Sequence, residues 1–135
     1  MPEESPVQPR PRVLLVDNEE RTVGLYKKLL HVWNYSVVVA GGAGRELLDD
    51  AIAKARENRC QIALVDMRLI DNYDEDDKSG LELIARIKPA ETIIISGHGT
   101  LQLVLDALRA GAVDFFEKSD DPENLVSCPV DVDFQ

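Results

Sequence analysis

The stretch QIALVD, residues 61–66, decides the fold, because it is an apolar run of strand length that ends abruptly in a carboxylate. An apolar run without polar alternation is typical of a strand buried on both faces of a parallel sheet. Similar runs that end in a polar side chain occur at residues 12–17 (RVLLVD), 92–96 (TIIIS) and 112–118 (AVDFFEK). YSVVVA, residues 35–40, is a further apolar run, so the sequence predicts five strands.

Segments with helical spacing of apolar residues separate these strands, and they predict helices over residues 18–33, 44–59, 79–88 and 100–111. Strands that alternate with helices form parallel sheets, because right-handed crossovers place the helices on both faces. The predicted fold class is therefore α/β, with a five-stranded parallel sheet between two helical layers. The last predicted helix has two apolar rows. One is expected to face the sheet, and the other consists of Leu103 and Ala107. The expected inward residues are Leu101, Val104, Leu105 and Leu108.

Length and charge restrict the function. At 135 residues the chain has the length of one domain, and 44% apolar residues are enough for a core. A formal net charge of −10 argues against direct nucleic-acid contact, which needs clustered basic side chains. Neither a membrane span nor a signal peptide is recognisable. Cys60 and Cys128 lack metal-type spacing, and Cys60 is expected to be buried. We expect a soluble, cytoplasmic domain with no membrane contact.

The C-terminal part weakens the expected alternation. Asp121 and Pro122 are typical of a helix start, but Pro129 stops that helix after about two turns. The closing fifth helix is thus predicted to be short or missing, which fits a piece cut from a longer protein. The predicted organisation is a disordered, Pro-rich leader over 1–11, the domain over 12–127 and a tail over 128–135.

Four polar residues stand at or just after the carboxyl ends of predicted strands, at one edge of the sheet. Asp17 follows the first strand, Asp66 and Ser96 end the third and fourth, and Lys118 follows the last. Ligands of open parallel sheets bind beyond this carboxyl edge. Two carboxylates with nearby oxygen ligands suit Mg²⁺, and a lysine with a hydroxyl can bind a further anion. Such a set supports phosphoryl transfer to an aspartate.

These segments resemble the receiver (phosphoacceptor) domain of two-component response regulators. The resemblance covers residues 12–119 and is carried by VLLVDNEE, ALVDMRL, SGLELIARIK, IIISGHGT and GAVDFFEKS. It implies a flavodoxin-like three-layer sandwich with strand order 2-1-3-4-5. It also implies that Asp66 is the phosphoacceptor, with Ser96 and Lys118 as its catalytic partners. The implied cofactor is Mg²⁺ (or Mn²⁺), held by Asp17, Asn18, Asp66 and the backbone carbonyl of Arg68.

The resemblance further implies a switch. Ser96 and Phe115 would change position after phosphorylation, and Arg68 and His98 would tune hydrolysis of the phosphoryl group. His98 fits an ordinary solvated loop residue equally well. A histidine kinase or a phosphotransfer protein would supply the phosphoryl group, and the domain would be no enzyme beyond assisting its own phosphorylation and dephosphorylation. Output would pass through the face formed by the fourth predicted helix and the last strand, where a homodimer could also form.

The chain departs from the family pattern at three places. Asn18 replaces a common acid, which we expect to weaken Mg²⁺ binding. Ser119 replaces the proline that usually follows the lysine, so a cis peptide is not expected there. Ile70 replaces another proline, and the loop up to Gly80 is longer than usual. These departures favour one alternative, a receiver-like interaction module that is never phosphorylated, whereas the intact set of Asp17, Asp66, Ser96 and Lys118 argues against it. A flavodoxin or an aspartyl phosphatase fits less well, because VDNEERT is acidic and Arg68 replaces the second acid of such phosphatases.

The longer loop contains an acidic run, residues 71–77 (DNYDEDD). Counted from Asp71, its third residue is Tyr73 and its sixth is Asp76, so it lacks the oxygen ligand and the glycine of a calcium loop. We interpret the run as a solvated insertion at the rim of the site. A second interpretation is that it recruits a basic partner or raises the local cation concentration.

Overall fold

A computed structural model describes residues 10–71, 73–97 and 99–118 of the chain. Within these ranges every strand and helix expected from the sequence is present, with small differences at the ends. The expectations for the fifth helix, Ser119, Cys128, His98 and most of the leader lie outside the described residues. The elements are β1 Arg12–Val16, α1 Glu20–Val32, β2 Ser36–Val39, α2 Arg45–Glu57, β3 Ile62–Asp66, α3 Ser79–Arg86, β4 Glu91–Ser96, α4 Leu101–Ala110 and β5 Asp114–Glu117.

The strands form one parallel sheet in the order β2-β1-β3-β4-β5, which confirms the flavodoxin-like order. The register aligns the strand ends at one edge of the sheet. Val16 pairs with Val65, Asp66 pairs with Ile95, and Ser96 pairs with Glu117. Because neighbouring strands end at the same level, the polar residues that follow them are placed side by side. We call this edge, formed by the ends of β1, β3, β4 and β5, the carboxyl edge.

The sheet is buried on both faces, as its apolar strands predict. One set of alternate strand residues, such as Leu14 and Ile94, packs in one cluster with α2, α3 and Ala107 of α4. Their neighbours, such as Leu15 and Ile95, pack with Tyr26 and Leu30 of α1. Alternate side chains of a strand point to opposite faces, so each strand supplies both clusters. Cys60 is buried as expected. None of the helices in the described ranges is long and apolar enough to cross a membrane.

The predicted orientation of α4 is wrong. Leu101 is 76% exposed and Leu108 is 45% exposed, although both were expected to face the sheet. Instead Ala107 is fully buried, and Leu103 packs against the core. Two apolar rows compete for the sheet, and the row with the small Ala107 lets the helix lie close to it. The described part of α4 therefore leaves apolar leucines in contact with solvent.

The acidic insertion divides into exposed acids and one structural acid. Asp74, Glu75 and Asp76 are exposed, as the prediction of a solvated insertion requires. Asp77 is different, because its Oδ2 accepts hydrogen bonds from the amides of Ile70 (2.9 Å) and Asp71 (2.6 Å). Its Oδ1 accepts the amide of Ser79 at the start of α3, at 2.9 Å. Asp77 thus closes the loop at both ends.

Candidate functional site

Lys118 joins three carboxylates at the carboxyl edge. Its Nζ lies 2.7 Å from Glu19 Oε1, 3.0 Å from Asp17 Oδ2 and 3.5 Å from Asp66 Oδ2. The side chains of Asp17 and Asp66 are almost inaccessible to solvent, whereas that of Glu19 is half-exposed. The predicted convergence of Asp17, Asp66 and Lys118 is therefore present, and Glu19 joins it.

Three buried acceptor oxygens at this edge lack a hydrogen-bond partner: Asp17 Oδ2, Asn18 Oδ1 and Asp66 Oδ2. Only one other buried side-chain oxygen among the described residues, Thr92 Oγ1, shares this property. Lys118 approaches the two aspartates as an ion pair but without hydrogen-bond geometry to these oxygens. Buried polar atoms nearly always have a hydrogen-bond partner. Three neighbouring buried oxygens without one therefore indicate a place where a ligand can bind.

The electrostatics agree with that interpretation. Burial, followed by the neighbouring charge of Asp17, raises the pKa of Asp66 to about 8. Burial also raises the pKa of Asp17, although Lys118 acts in the opposite direction. Burial alone would lower the pKa of Lys118, but the Asp66 and Asp17 carboxylates raise it above its ordinary value. One lysine does not compensate both buried carboxylates, so the site favours an additional cation.

The donor set fits a hard divalent cation. Carboxylate and amide oxygens are the ligands that Mg²⁺ and Ca²⁺ prefer. Within the described ranges no three His, Cys, Asp or Glu side chains are grouped so that they alone hold a metal ion. A cation here would therefore depend on the amide oxygen of Asn18 and on backbone oxygens, in addition to Asp17 and Asp66.

Backbone contacts hold the site residues in place. Asp17 Oδ1 accepts the amide of Glu19 at 2.9 Å, which fixes the first loop. The amide of Lys118 donates to the carbonyl of Ser96 at 2.8 Å, which ties the end of β5 to the end of β4. A Cβ on Gly80 would overlap the carbonyl oxygen of Asp66, so only glycine lets α3 start so close to the strand end.

The remaining predicted site residues lie around this centre. Ser96 is buried at the end of β4, one residue beyond the partner of Asp66 in the sheet. Phe115 is half-buried and packs against the core under α4. Arg68 lines a cleft of about 670 Å³ between the acidic insertion and the start of α4, which also includes Tyr73 and Thr100.

Sequence reasoning missed two residues of the site. Glu19 is one of two adjacent acids that follow Asn18, and its residue type does not distinguish it from Glu20. Its proximity to Asp17 was the available signal, because a residue two positions after a strand exit stays at the same edge. Gly80 gave no signal, since its role depends on the approach of α3 to β3.

A comparison with protein-family models matches residues 13–128 to the response regulator receiver domain. The chain belongs to this family. Receiver domains of response regulators are signalling domains of phosphorelays, and they interact with histidine kinases or phosphotransfer proteins. The resemblance of the sequence to this family is thereby confirmed.

Individual relatives agree. The chain is 31% identical over 115 residues to the nitrogen assimilation regulatory protein NtrX of Azorhizobium caulinodans, covering 84% of this chain and 24% of NtrX. The solved signal receiver domain of a protein named as a LuxO repressor from Vibrio parahaemolyticus is 29% identical, with a TM-score of 0.69, and the match covers 87% of this chain and 85% of that one. The chain spans 24% to 59% of the length of three curated relatives that it matches.

A more distant structure has the same fold. A response regulator from Burkholderia pseudomallei, solved with a phosphorylated aspartic acid, a calcium ion and citrate, is 22% identical. Its TM-score is 0.71, and the match covers 87% of this chain and 65% of that chain.

Proposed function

We propose that this domain is a phosphoryl-accepting switch in which Asp66 is the phosphoacceptor. The observation that carries the proposal is the group of three buried, unsatisfied oxygens at Asp17, Asn18 and Asp66, faced by Lys118. A cation bound to these oxygens, Mg²⁺ or Mn²⁺, would neutralise the carboxylates and the incoming phosphoryl group. The calcium ion and phosphorylated aspartate of the Burkholderia structure support this assignment by likeness of fold.

The proposed transfer is a single substitution at phosphorus. A carboxylate oxygen of Asp66 forms the new bond to phosphorus, while the bond to the donor's leaving group breaks and that group departs with its electron pair. Lys118 Nζ, now 3.5 Å from Asp66 Oδ2, donates to a phosphoryl oxygen and offsets its charge. Gly80 keeps the start of α3 close to Asp66 without a side chain between them. The donor is proposed to be a histidine kinase or a phosphotransfer protein in the cytoplasm.

The readout is proposed to travel through β4 and β5. The backbone amide of Lys118 donates to the carbonyl of Ser96 at 2.8 Å. A displacement of either residue would therefore move the other. The Ser96 hydroxyl would turn toward the phosphoryl oxygens, and half-buried Phe115 would turn inward beneath α4. Arg68, beside the site, would tune hydrolysis. The altered α4/β5 face would then bind an output partner or a second copy of the chain.

Intact-protein mass spectrometry after incubation with acetyl phosphate and Mg²⁺ tests the proposal. One added phosphoryl group is expected for the wild type, and none for Asp66→Asn or after chelation of Mg²⁺. Asp71→Asn, a change at an exposed carboxylate, serves as the matched control and should be phosphorylated normally.

A folded wild-type protein that gained no mass would next be given beryllofluoride, to exclude rapid hydrolysis of the phosphoryl group. If beryllofluoride also failed to bind, the phosphoacceptor function would be wrong. The domain would then be an interaction module that keeps the fold without the chemistry.

A further inference from the structure

We propose that Glu19 is a positioning residue that holds Lys118 away from Asp66 before phosphorylation and competes with the phosphoryl group for this lysine. The inference rests on the proposed function of Asp66. It starts from the three distances at Lys118 Nζ, of which the shortest, 2.7 Å, leads to Glu19 and the longest, 3.5 Å, leads to Asp66.

The Glu19 carboxylate is held in this position from two sides. Its Oε1 also accepts the hydroxyl of Thr22, at 3.2 Å, from the first turn of α1. Its backbone amide donates to Asp17 Oδ1, which fixes the loop that carries it. Lys118 Nζ lies 2.7 Å from the same Oε1, so one carboxylate oxygen is shared by a hydroxyl and an ammonium group. The contact is therefore an ion pair in which the Glu19 carboxylate is held in place.

The geometry suits a contact that breaks on activation. An ammonium group has three N–H donors on a flexible stem, so Lys118 can turn from Glu19 to a phosphoryl oxygen on Asp66. Glu19 has 48% of its side chain exposed, and water replaces the lost partner. Asp17, by contrast, is fully buried and would be left uncompensated if Lys118 withdrew from it. Glu19 is thus the partner that Lys118 releases at the lowest free-energy cost.

Beryllofluoride binding in the presence of Mg²⁺, followed by fluorine NMR of the full chain, tests the proposal. Without Glu19 the lysine is available from the start, so Glu19→Gln is expected to bind beryllofluoride about two- to five-fold more tightly, the range for a half-exposed ion pair. Glu20→Gln removes a neighbouring exposed charge from α1 and should leave the affinity unchanged.

Glu19→Asp separates contact from charge, because it keeps the carboxylate but shortens its reach. Tighter binding by this variant is expected, whereas wild-type affinity would indicate a simple field effect and overturn the positioning role. Unchanged or weaker binding by Glu19→Gln would also overturn it.

A second measurement does not depend on phosphorylation. A double-mutant cycle of Glu19→Gln with Lys118→Met, measured by urea unfolding in EDTA, should show a coupling that the Glu20→Gln cycle lacks. Absence of coupling overturns the role of Glu19 alone. A wild type that binds no beryllofluoride overturns the phosphoacceptor function together with the role of Glu19, so the two failures are distinguishable.

Discussion

Asp66 and Asp77 stand at opposite ends of the same loop, and their pKa values are shifted in opposite directions. Burial and the charge of Asp17 raise the pKa of Asp66 to about 8. Burial also acts to raise the pKa of Asp77, but hydrogen bonds from Ser79, Asp71 and Ile70 outweigh it and lower the pKa. The same side chain is therefore a candidate reactive group in one environment and a structural acceptor in the other.

The difference lies in the number of donors that the fold supplies. Asp77 receives three backbone amides, and both of its oxygens accept at least one of them. Asp66 Oδ2 receives no hydrogen bond, although it is buried. A buried carboxylate oxygen without a donor costs stability, and a bound cation can offset that cost. The acidic residues along the sequence do not show which of Asp66 and Asp77 is structural, whereas the hydrogen bonds to their carboxylates do.

The largest expected effect is on stability at the Asp66 site. In EDTA the pKa of Asp66 in the folded protein is raised to about 8. Below about pH 4 Asp66 is therefore protonated in both the folded and the unfolded state, and its burial lowers the free energy of unfolding only a little. Stability is then lost as pH rises from about 4 through about 8, because only the unfolded state is readily ionised. Asp66→Asn removes this loss and should gain on the order of 2 kcal/mol more at pH 8 than at pH 5.

Urea unfolding of the wild type and Asp66→Asn at both pH values measures this difference, with Asp71→Asn as the control at an exposed acid. A gain that stayed constant between pH 5 and pH 8 would contradict the raised pKa.

Asp77→Ala tests the other side of the comparison. It removes the acceptor of three backbone amides and is expected to lower the free energy of unfolding by about 1–2 kcal/mol, since these amides are partly accessible to water. Chemical unfolding at neutral pH measures the loss. Glu75→Gln, at an exposed acid of the same insertion, should change stability by less than about 0.5 kcal/mol. Equal effects of the two variants would show that Asp77 is only another solvated charge.

Asp77 also explains a departure that the sequence left unexplained. Ile70 occupies a position where the family usually has proline, and its amide donates to Asp77 Oδ2 at 2.9 Å. Proline has no amide hydrogen, so it could not make this bond. The hydrogen bond from Ile70 to Asp77 therefore requires a residue other than proline at position 70.

The strand exits were predictable, because apolar runs fix the strands and parallel strands bring their ends together. Asp17, Asp66 and Lys118 meet for this reason. The facing side of α4 was not predictable, because Leu101 and Ala107 belong to rows of similar hydropathy and the packing distance to the sheet selects between them. The contact of Glu19 with Lys118 depends on a side-chain rotamer, which residue spacing does not determine.

Asn18→Asp probes the proposed cation site, where Asn18 would supply the uncharged side-chain oxygen. A third carboxylate beside Asp17 and Asp66 should tighten Mg²⁺ binding about tenfold at pH 8, because it adds a negative charge next to the cation. Isothermal titration calorimetry measures the change. Asn34→Asp adds the same charge at an exposed position after α1 and should leave Mg²⁺ affinity unaltered. Similar gains from both variants would mean that net charge, not the Asn18 oxygen, sets the affinity.

The smallest effect is expected from the exposed acids of the insertion. Neutralising Asp74, Glu75 and Asp76 to Asn, Gln and Asn should change Mg²⁺ affinity by less than about two-fold at 0.15 M salt, where the screening length is about 8 Å. The Asn side chain at position 74 keeps an acceptor for the amide of Asp76, so the turn is preserved. Calorimetry at physiological and low salt compares the variant with the wild type. A loss that appears only at low salt reflects long-range attraction, which these exposed charges share with any acidic surface. A tenfold loss at physiological salt would instead place the insertion within the cation site, and the division between Asp66 and the acids that follow it would fail.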